Sequence, residues 1–433
     1  MAKRVLLISP YFPPHNTIGT KRAVNFVQGV HGQEDWEVIV LASKPFKDEY
    51  DFRLSHCVPE GVKAHYEFVG IFRPLIKLLA QGFNRKNRKK PNEEEPQIIK
   101  KKTIKKKRSI SLTPFDQYVW DVNSAIYNGK KLMRQYKPDV IWVNADPWSG
   151  FLVAAKLSRK FGVPWVADLR DPWTVFEKKM QWRPTLTVKI IRWYEKRFFS
   201  SASKVVLNTE IAYEAYKSRY PSSFSNKFMY IRNAYNECLL REFGLKPDKK
   251  AFTFGYYGGF RDLVPSDDII RGLADLIKKH DLDPSEVRFE VRGNVYPEFW
   301  DQVNEHKLEE YVSVEKEINL GQTITLLRSW DALLISAAYD RRWMIPAKFY
   351  DYLFARKPII AISNNKELNR LINETKSGRS VETKKPDEIL ALFEAYFKKG
   401  KSDLIENQTY IEPYGLDKQA IKFRETLNEV MKS

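Results

Sequence analysis

The chain has 433 residues, too many for one ordinary hydrophobic core, so two domains are expected, and 43% hydrophobic with 14% aromatic residues lets each bury a sizeable one. No stretch approaches the length of an apolar membrane span, and the start, MAKRVLLIS, carries too short an apolar run for a secretory signal, so a cytoplasmic protein is expected. A net charge of +19 points to phosphorylated substrates, anionic lipid or nucleic acid as partners.

In chain order, Arg4 to Ser9 reads as a buried strand. Pro10-Tyr11-Phe12-Pro13-Pro14 then forces an extended loop, which Gly19 closes before a helix begins near Thr20. Strand, glycine-containing loop and helix make a phosphate-binding geometry. Gly19 stands alone, however, so the GxGxxG dinucleotide fingerprint is missing and an NAD enzyme is not favoured. Lys21 and Arg22 either face the ligand or cap and solvate the helix. Strands follow at Glu37 to Ala42 and Val62 to Val69. Residues 71–83 are apolar with interspersed cations, and 84–108 carry twelve Lys or Arg against Glu93, Glu94 and Glu95. Residues 71–108 can therefore lie on an anionic membrane surface or form a solvated excursion. A nucleic-acid partner is not expected, because no aromatic residues interleave with the basic run to stack on bases.

A helix from Phe115 to Tyr136 leads to a strand at Asp139 to Val143. Asp146 follows at the carboxyl end, the rim where ligands collect in doubly wound sheets, although Asp before Pro is also a common turn opener. Pro164 to Leu169 is another strand, ending in Asp168-Leu169-Arg170-Asp171-Pro172-Trp173. Asp168, Arg170 and Asp171 read as working groups of the rim or as a mutually paired, loop-locking cluster. Strands at 204–208 and 227–232, with a helix between, complete a first domain over 1–235. A polar linker spans 236–250. Cys57 and Cys238 show no zinc spacing and read as two thiols of a reducing compartment, with no metal site.

The pattern restarts in a second domain, 251–405. Phe252 to Tyr257 is a strand, and Gly258-Gly259 lets the backbone come close to a ligand before a helix from about Ser266, with Arg261 between. His15 is the one histidine in a loop expected to face the ligand. Later, RRWMIPAKFYDYLFARKPIIAI reads as a loop, a helix over 347–355 and a buried strand. Lys348 and Asp351 share a face of that helix, and Lys348 sits in its first turn, where free N–H groups favour an anion. A cation for a diphosphate and a carboxylate for vicinal sugar hydroxyls suit a nucleotide. A last helix, within 410–433, closes the chain.

Several of these stretches resemble glycosyltransferase family 4. PAKFYDYLFARKPIIAI is similar to the family's donor-binding segment, with Trp343 and Asp351 where two glutamates commonly stand and Arg356 in place of a glycine. SPYFPPHNTIGTKR resembles its first loop, DLRDPW an element many members carry, and Ile231-Arg232-Asn233-Ala234 its IPNG segment. Val264 falls near a lysine common in the family, and the loop at Asp146 lacks the histidine many members place there. The resemblance implies an α/β GT-B fold, two Rossmann-like βαβ domains facing across a cleft, with the 410–433 helix packing back onto the first. It also implies retaining transfer of a sugar from a nucleotide-sugar donor to a sugar or lipid-linked acceptor, with no cofactor beyond the donor and no obligatory metal. The expected catalytic residues are Asp146, Asp168, Arg170 and Asp171; the expected donor ligands are Gly19, Gly258, Gly259, Arg261, Lys348 and Asp351. Surface polysaccharide assembly at the inner membrane face is the expected setting. The alternatives are a GT-B sugar-nucleotide epimerase, an inverting transferase, or a non-catalytic basic protein binding membrane or nucleic acid.

Overall fold

The computed structural model describes residues 2–15, 17–44, 52–68, 114–181, 183–240, 251–260, 266–316, 320–337, 342–400 and 408–432. The basic stretch 71–108 and Arg261 lie outside these. The chain divides into two compact units, 1–208 with 212–231 and 420–433, and 209–211 with 232–419.

Among the described residues the N-terminal unit holds seven parallel strands: β1 (Lys3–Ile8), β2 (Trp36–Leu41), β3 (Lys63–His65), β4 (Val140–Ala145), β5 (Trp165–Leu169), β6 (Lys204–Leu207) and β7 (Phe228–Tyr230). Their order is β3-β2-β1-β4-β5-β6-β7. The longer helices here are α1 (Ile18–Val30), α2 (Val122–Tyr136), α3 (Ser149–Phe161), α4 (Thr185–Ser201) and α5 (Glu210–Arg219), the last belonging to this unit from 212 onward. Strand alternation sorts the side chains. Leu6, Ile8, Ile39 and Leu41 enter one core, with Ile141, Val143 and Phe151, while Val5, Leu7, Val38 and Val40 enter the other, with Phe26 and Trp142. Both faces are covered, which is why these strands read as continuous apolar runs.

The C-terminal unit repeats the plan with β8 (Phe252–Tyr257), α6 (Asp267–His280), β9 (Val287–Arg292), α7 (Pro297–Glu305), β10 (Val312–Glu315), α8 (Leu320–Ser329), β11 (Ala332–Ala337), α9 (Ala347–Ala355), β12 (Ile359–Ser363), α10 (Lys366–Glu374), β13 (Gly378–Val381) and α11 (Pro386–Lys399). The parallel order β10-β9-β8-β11-β12-β13 reverses direction between β8 and β11. Close packing fixes Gly255 of β8, since a Cβ there would lie 1.9 Å from the Trp330 ring. That ring is held by its own N–H, which donates to Glu290 at 2.8 Å.

The final helix, α12 (Leu416–Lys432), joins the N-terminal unit from Ala420 onward, with Phe423, Leu427 and Val430 in the core beside Phe26 and Trp142. A Cβ on Gly29 of α1 would come within 2.6 Å of Ala420, so the glycine sets how closely the two helices approach. The N-terminal unit ends at Ile231, ahead of the Tyr235 read from the sequence. Arg232 already belongs to the second unit, its guanidinium paired with the buried Glu367, and the Tyr235 N–H donates to the Tyr414 carbonyl at 3.1 Å. No cysteine among the described residues is free, which corrects the reading of Cys57 and Cys238 as two thiols.

Candidate functional site

In the C-terminal unit the strand order reverses between β8 and β11, and open α/β sheets take ligands at the carboxyl ends of the strands beside such a reversal. Gly258 ends β8 with φ of 103°, a conformation glycine adopts readily, and its N–H donates to the Arg292 carbonyl at 2.8 Å. Gly293 backs this turn. A Cβ there would lie 2.4 Å from the Gly258 carbonyl and 2.8 Å from the Gly259 nitrogen, so only glycine lets the two loops meet.

Lys348 stands in the first turn of α9, its Nζ 3.4 Å from the Tyr256 ring centroid. A Cβ on Gly258 would lie 3.2 Å from that Nζ, so the ammonium sits at the mouth of the glycine turn. Helix α9 begins after Pro346 with no side-chain cap. By contrast, the first turn of α10 is closed by Asn365, whose side chain accepts from the Leu368 N–H at 3.0 Å. No side chain of the N-cap residue closes the start of α9, whose Phe349 N–H donates to the Pro346 carbonyl at 2.9 Å, and the positive end of a helix favours an anion. Tyr352 secures the helix: its hydroxyl accepts from the Tyr257 N–H at 2.9 Å and donates to the Leu334 carbonyl, and burial pushes its pKa well up. Asp351 lies three residues beyond Lys348, 6% exposed. Trp343, at the position of the family's first glutamate, packs its ring 4.7 Å from the Arg342 guanidinium carbon.

The N-terminal rim departs from expectation at Asp168. Asp168 alternates onto the same face of β5 as Val166 and is 1% exposed. Its carboxylate receives the Arg22 guanidinium at 2.6 and 2.9 Å and the Trp142 indole N–H at 3.2 Å. The expected catalytic role is thereby corrected to a buried pair joining α1 to β5, and Arg22 also donates to the Ile231 carbonyl at 3.1 Å. Gly19 is closely packed within the same rim. A Cβ on it would strike the Tyr11 ring at 2.8 Å and approach the Arg170 guanidinium at 3.3 Å. His15 is fully buried, its Nε2 3.0 Å from the Ser43 carbonyl.

Arg170 and Asp171 remain at the rim, both partly exposed, with 3.7 Å between guanidinium and carboxylate. The Arg170 N–H donates to the Ala145 carbonyl at 2.5 Å and its own carbonyl accepts from Asn208, which ties the loop to the ends of β4 and β6. Arg170 Nε is buried and has no hydrogen-bond partner. Burial first, then the Asp146 carboxylate, raises the Tyr11 pKa, while Arg170 opposes the rise. Burial lowers the Arg183 pKa against the opposing pull of Asp146. Tyr11, Asp146, Arg170 and Arg183 thus share one polar neighbourhood. Arg183 and Tyr11 went unread in the sequence; an arginine just before the Pro184 helix start was the available signal. The N-terminus of α3 nearby is already occupied by Asp116, which accepts from the Ser149 N–H at 2.9 Å and hydroxyl at 2.8 Å.

Behind the loop, Glu195 is 1% exposed and accepts from the Thr174 N–H and hydroxyl and from the Tyr216 and Tyr220 hydroxyls, at 2.6 to 3.0 Å. Burial pushes its pKa up and these donors pull it back. Tyr216 in turn accepts from the Trp173 N–H at 2.8 Å, so Glu195 holds the whole 171–174 turn from below.

Residues 109–222 match the family described as glycosyl transferase 4-like domain. No curated protein matches the chain by sequence. Among solved structures, sucrose-phosphate synthase from Thermosynechococcus elongatus matches with a TM-score of 0.64 and 13% identity, covering 99% of each chain. HepE from Anabaena, in complex with UDP-glucose, matches with a TM-score of 0.62 and 13% identity, covering 98% of this chain and 99% of that one. A protein assigned as a UDP-N-acetylglucosamine 2-epimerase from Listeria monocytogenes matches with a TM-score of 0.59 and 9% identity, over 100% and 97% of the chains. The glycosyltransferase-4 resemblance is borne out over 109–222, and the GT-B fold read from the sequence is borne out by the solved structures.

Proposed function

We propose that this chain, which carries a glycosyl transferase 4-like domain within a GT-B fold, moves a sugar from a nucleotide-sugar donor to a glycan or lipid-linked acceptor with retention at the anomeric carbon. The observation that supports this reading most is Lys348, an ammonium at an uncapped helix start beside the Gly258 turn. A diphosphate leaving group gains negative charge as its bond to the sugar breaks. Preorganised cations and N–H groups stabilise that charge without reorganising. Lys348 and the first turn of α9 would meet it, Arg261 would add a second cation, Gly258 and Gly259 would let the backbone approach, and Asp351 would take ribose hydroxyls.

On the N-terminal unit, Asp146, Arg170 and Asp171, joined by Tyr11 and Arg183, would orient the acceptor. An oxygen of the departing diphosphate would accept the acceptor's proton, so no histidine is required. The setting that fits this reading is surface polysaccharide or lipid-linked glycan assembly, with peripheral contact at the inner membrane face.

A thermal-shift panel of UDP, GDP, ADP and their glucose conjugates tests the donor class, followed by NMR of the product formed from a labelled sugar nucleotide. The reading expects stabilisation by one diphosphate family and a product with the donor's anomeric configuration. The likeness to the Listeria protein keeps an epimerase as the second reading. That enzyme would convert the sugar nucleotide itself with no acceptor present.

A further inference from the structure

We propose that the outer face of α4 is a docking surface for an anionic lipid bilayer. Leu186, Ile190 and Trp193 are 69%, 38% and 57% exposed, and their spacing of four and three residues sets them in one stripe along the helix. Lys189, Arg192, Lys196 and Arg197 are the exposed charged residues of the same helix, and all are cations. The one carboxylate of α4, Glu195, is turned inward at 1% exposure. Arg197 lies with its guanidinium carbon 5.5 Å from the Trp193 ring, so the aromatic and the cationic parts of the face are continuous.

The inner face explains why this stripe stays outward. Ile191, Phe198 and Phe199 are fully or almost fully buried, and Glu195 is bonded by four donors, so the helix cannot roll to hide its outer residues. Apolar residues, a tryptophan and a flank of Lys and Arg with no exposed acid are the composition of a helix lying in the headgroup plane. Phe115, which follows the basic 84–108 stretch closely in the sequence, packs on α4 through Tyr194 at 4.9 Å. A nucleic acid suits this face less, since Leu186 and Ile190 offer nothing to a phosphate backbone and Trp193 is the one exposed ring within α4 for bases. The surface is separate from the residues assigned to donor and acceptor, and it stands whatever sugar is transferred.

Co-sedimentation of the full chain with vesicles of phosphatidylcholine, alone or mixed with phosphatidylglycerol, tests the assignment. The expected result is binding to the mixed vesicles alone, weakened by salt. Two variants separate the contributions: Ile190→Ser with Trp193→Ser, and Lys189→Glu with Lys196→Glu. Each is expected to lower vesicle affinity by about tenfold while melting temperature and the nucleotide thermal shift stay as in the parent. Absence of binding to the mixed vesicles would overturn the proposal. So would undiminished binding by both variants, which would assign the lipid contact to another part of the chain. A dimer in light scattering that Ile190→Ser with Trp193→Ser dissolves, without vesicle binding by the parent, would instead make the face a self-association surface.

Discussion

Arg356 closes α9 with φ of 58°, in the left-handed region where a Cβ is strained, and its Nε is buried without a hydrogen-bond partner. The glycine common in the family at this position thus has a local reason, which the sequence comparison of one residue could not supply. Arg356→Gly relieves the strain at the expense of a more flexible unfolded chain, and stability is expected to rise by about 0.5–1 kcal/mol. Chemical denaturation measures it. Asp168 presents the opposite case. DLRDPW was legible as an element, yet its first carboxylate is a structural ion pair because its partner, Arg22, lies 146 residues earlier in the chain. Asp168→Ala leaves a buried guanidinium without its counter-charge and is expected to cost about 3–5 kcal/mol. Its signature is a large fall in melting temperature; a stable Asp168→Ala protein with turnover abolished would restore the catalytic assignment.

At the scale of elements, the central strands were readable because burial on both faces leaves apolar runs, whereas β13, GRSV and only half-buried at the sheet edge, leaves none and went unread. The glycine turn was readable only in part. Gly258 and Gly259 announce a close approach in the sequence, but what approaches is Gly293, in the next βα loop, and nothing local marks it. Gly293→Ala must push that loop off the Gly258 carbonyl, which is expected to cost about 1–3 kcal/mol and to weaken nucleotide binding together with stability. Calorimetric unfolding with and without UDP follows both effects. A second element-level tie joins α6 to α11, where Glu394 is bonded by Lys279 at 2.8 Å and His280 at 2.6 Å. Those two partners hold its pKa at about 2, below the ordinary glutamate value. A depressed carboxylate contributes stability while ionised, so this contribution is present above pH of about 4.3 and drains away as pH falls towards 2. The measurable consequence is a steeper acid loss of stability in the parent than in Glu394→Gln across that window.

For the whole molecule, the proposed function assigns separate work to two copies of one architecture. The C-terminal unit presents an uncapped helix, a lysine and a glycine turn at the reversal of its sheet. The N-terminal unit presents Asp146, Arg170 and Arg183 beside Tyr11. The division of the chain was legible from the restart of the βα pattern at Ala251, while the edge of the compact unit at Ile231 reflects Arg232 and Tyr235 finding partners far along the chain. Titration calorimetry of UDP and the other nucleoside diphosphates into the parent and Lys348→Ala bears most directly on the proposed donor site. The account predicts that one diphosphate binds the parent, and that Lys348→Ala weakens it by about 10–100-fold with the melting temperature of the free protein nearly unchanged. Equal affinities in the two proteins, or no diphosphate binding to the parent, would contradict it.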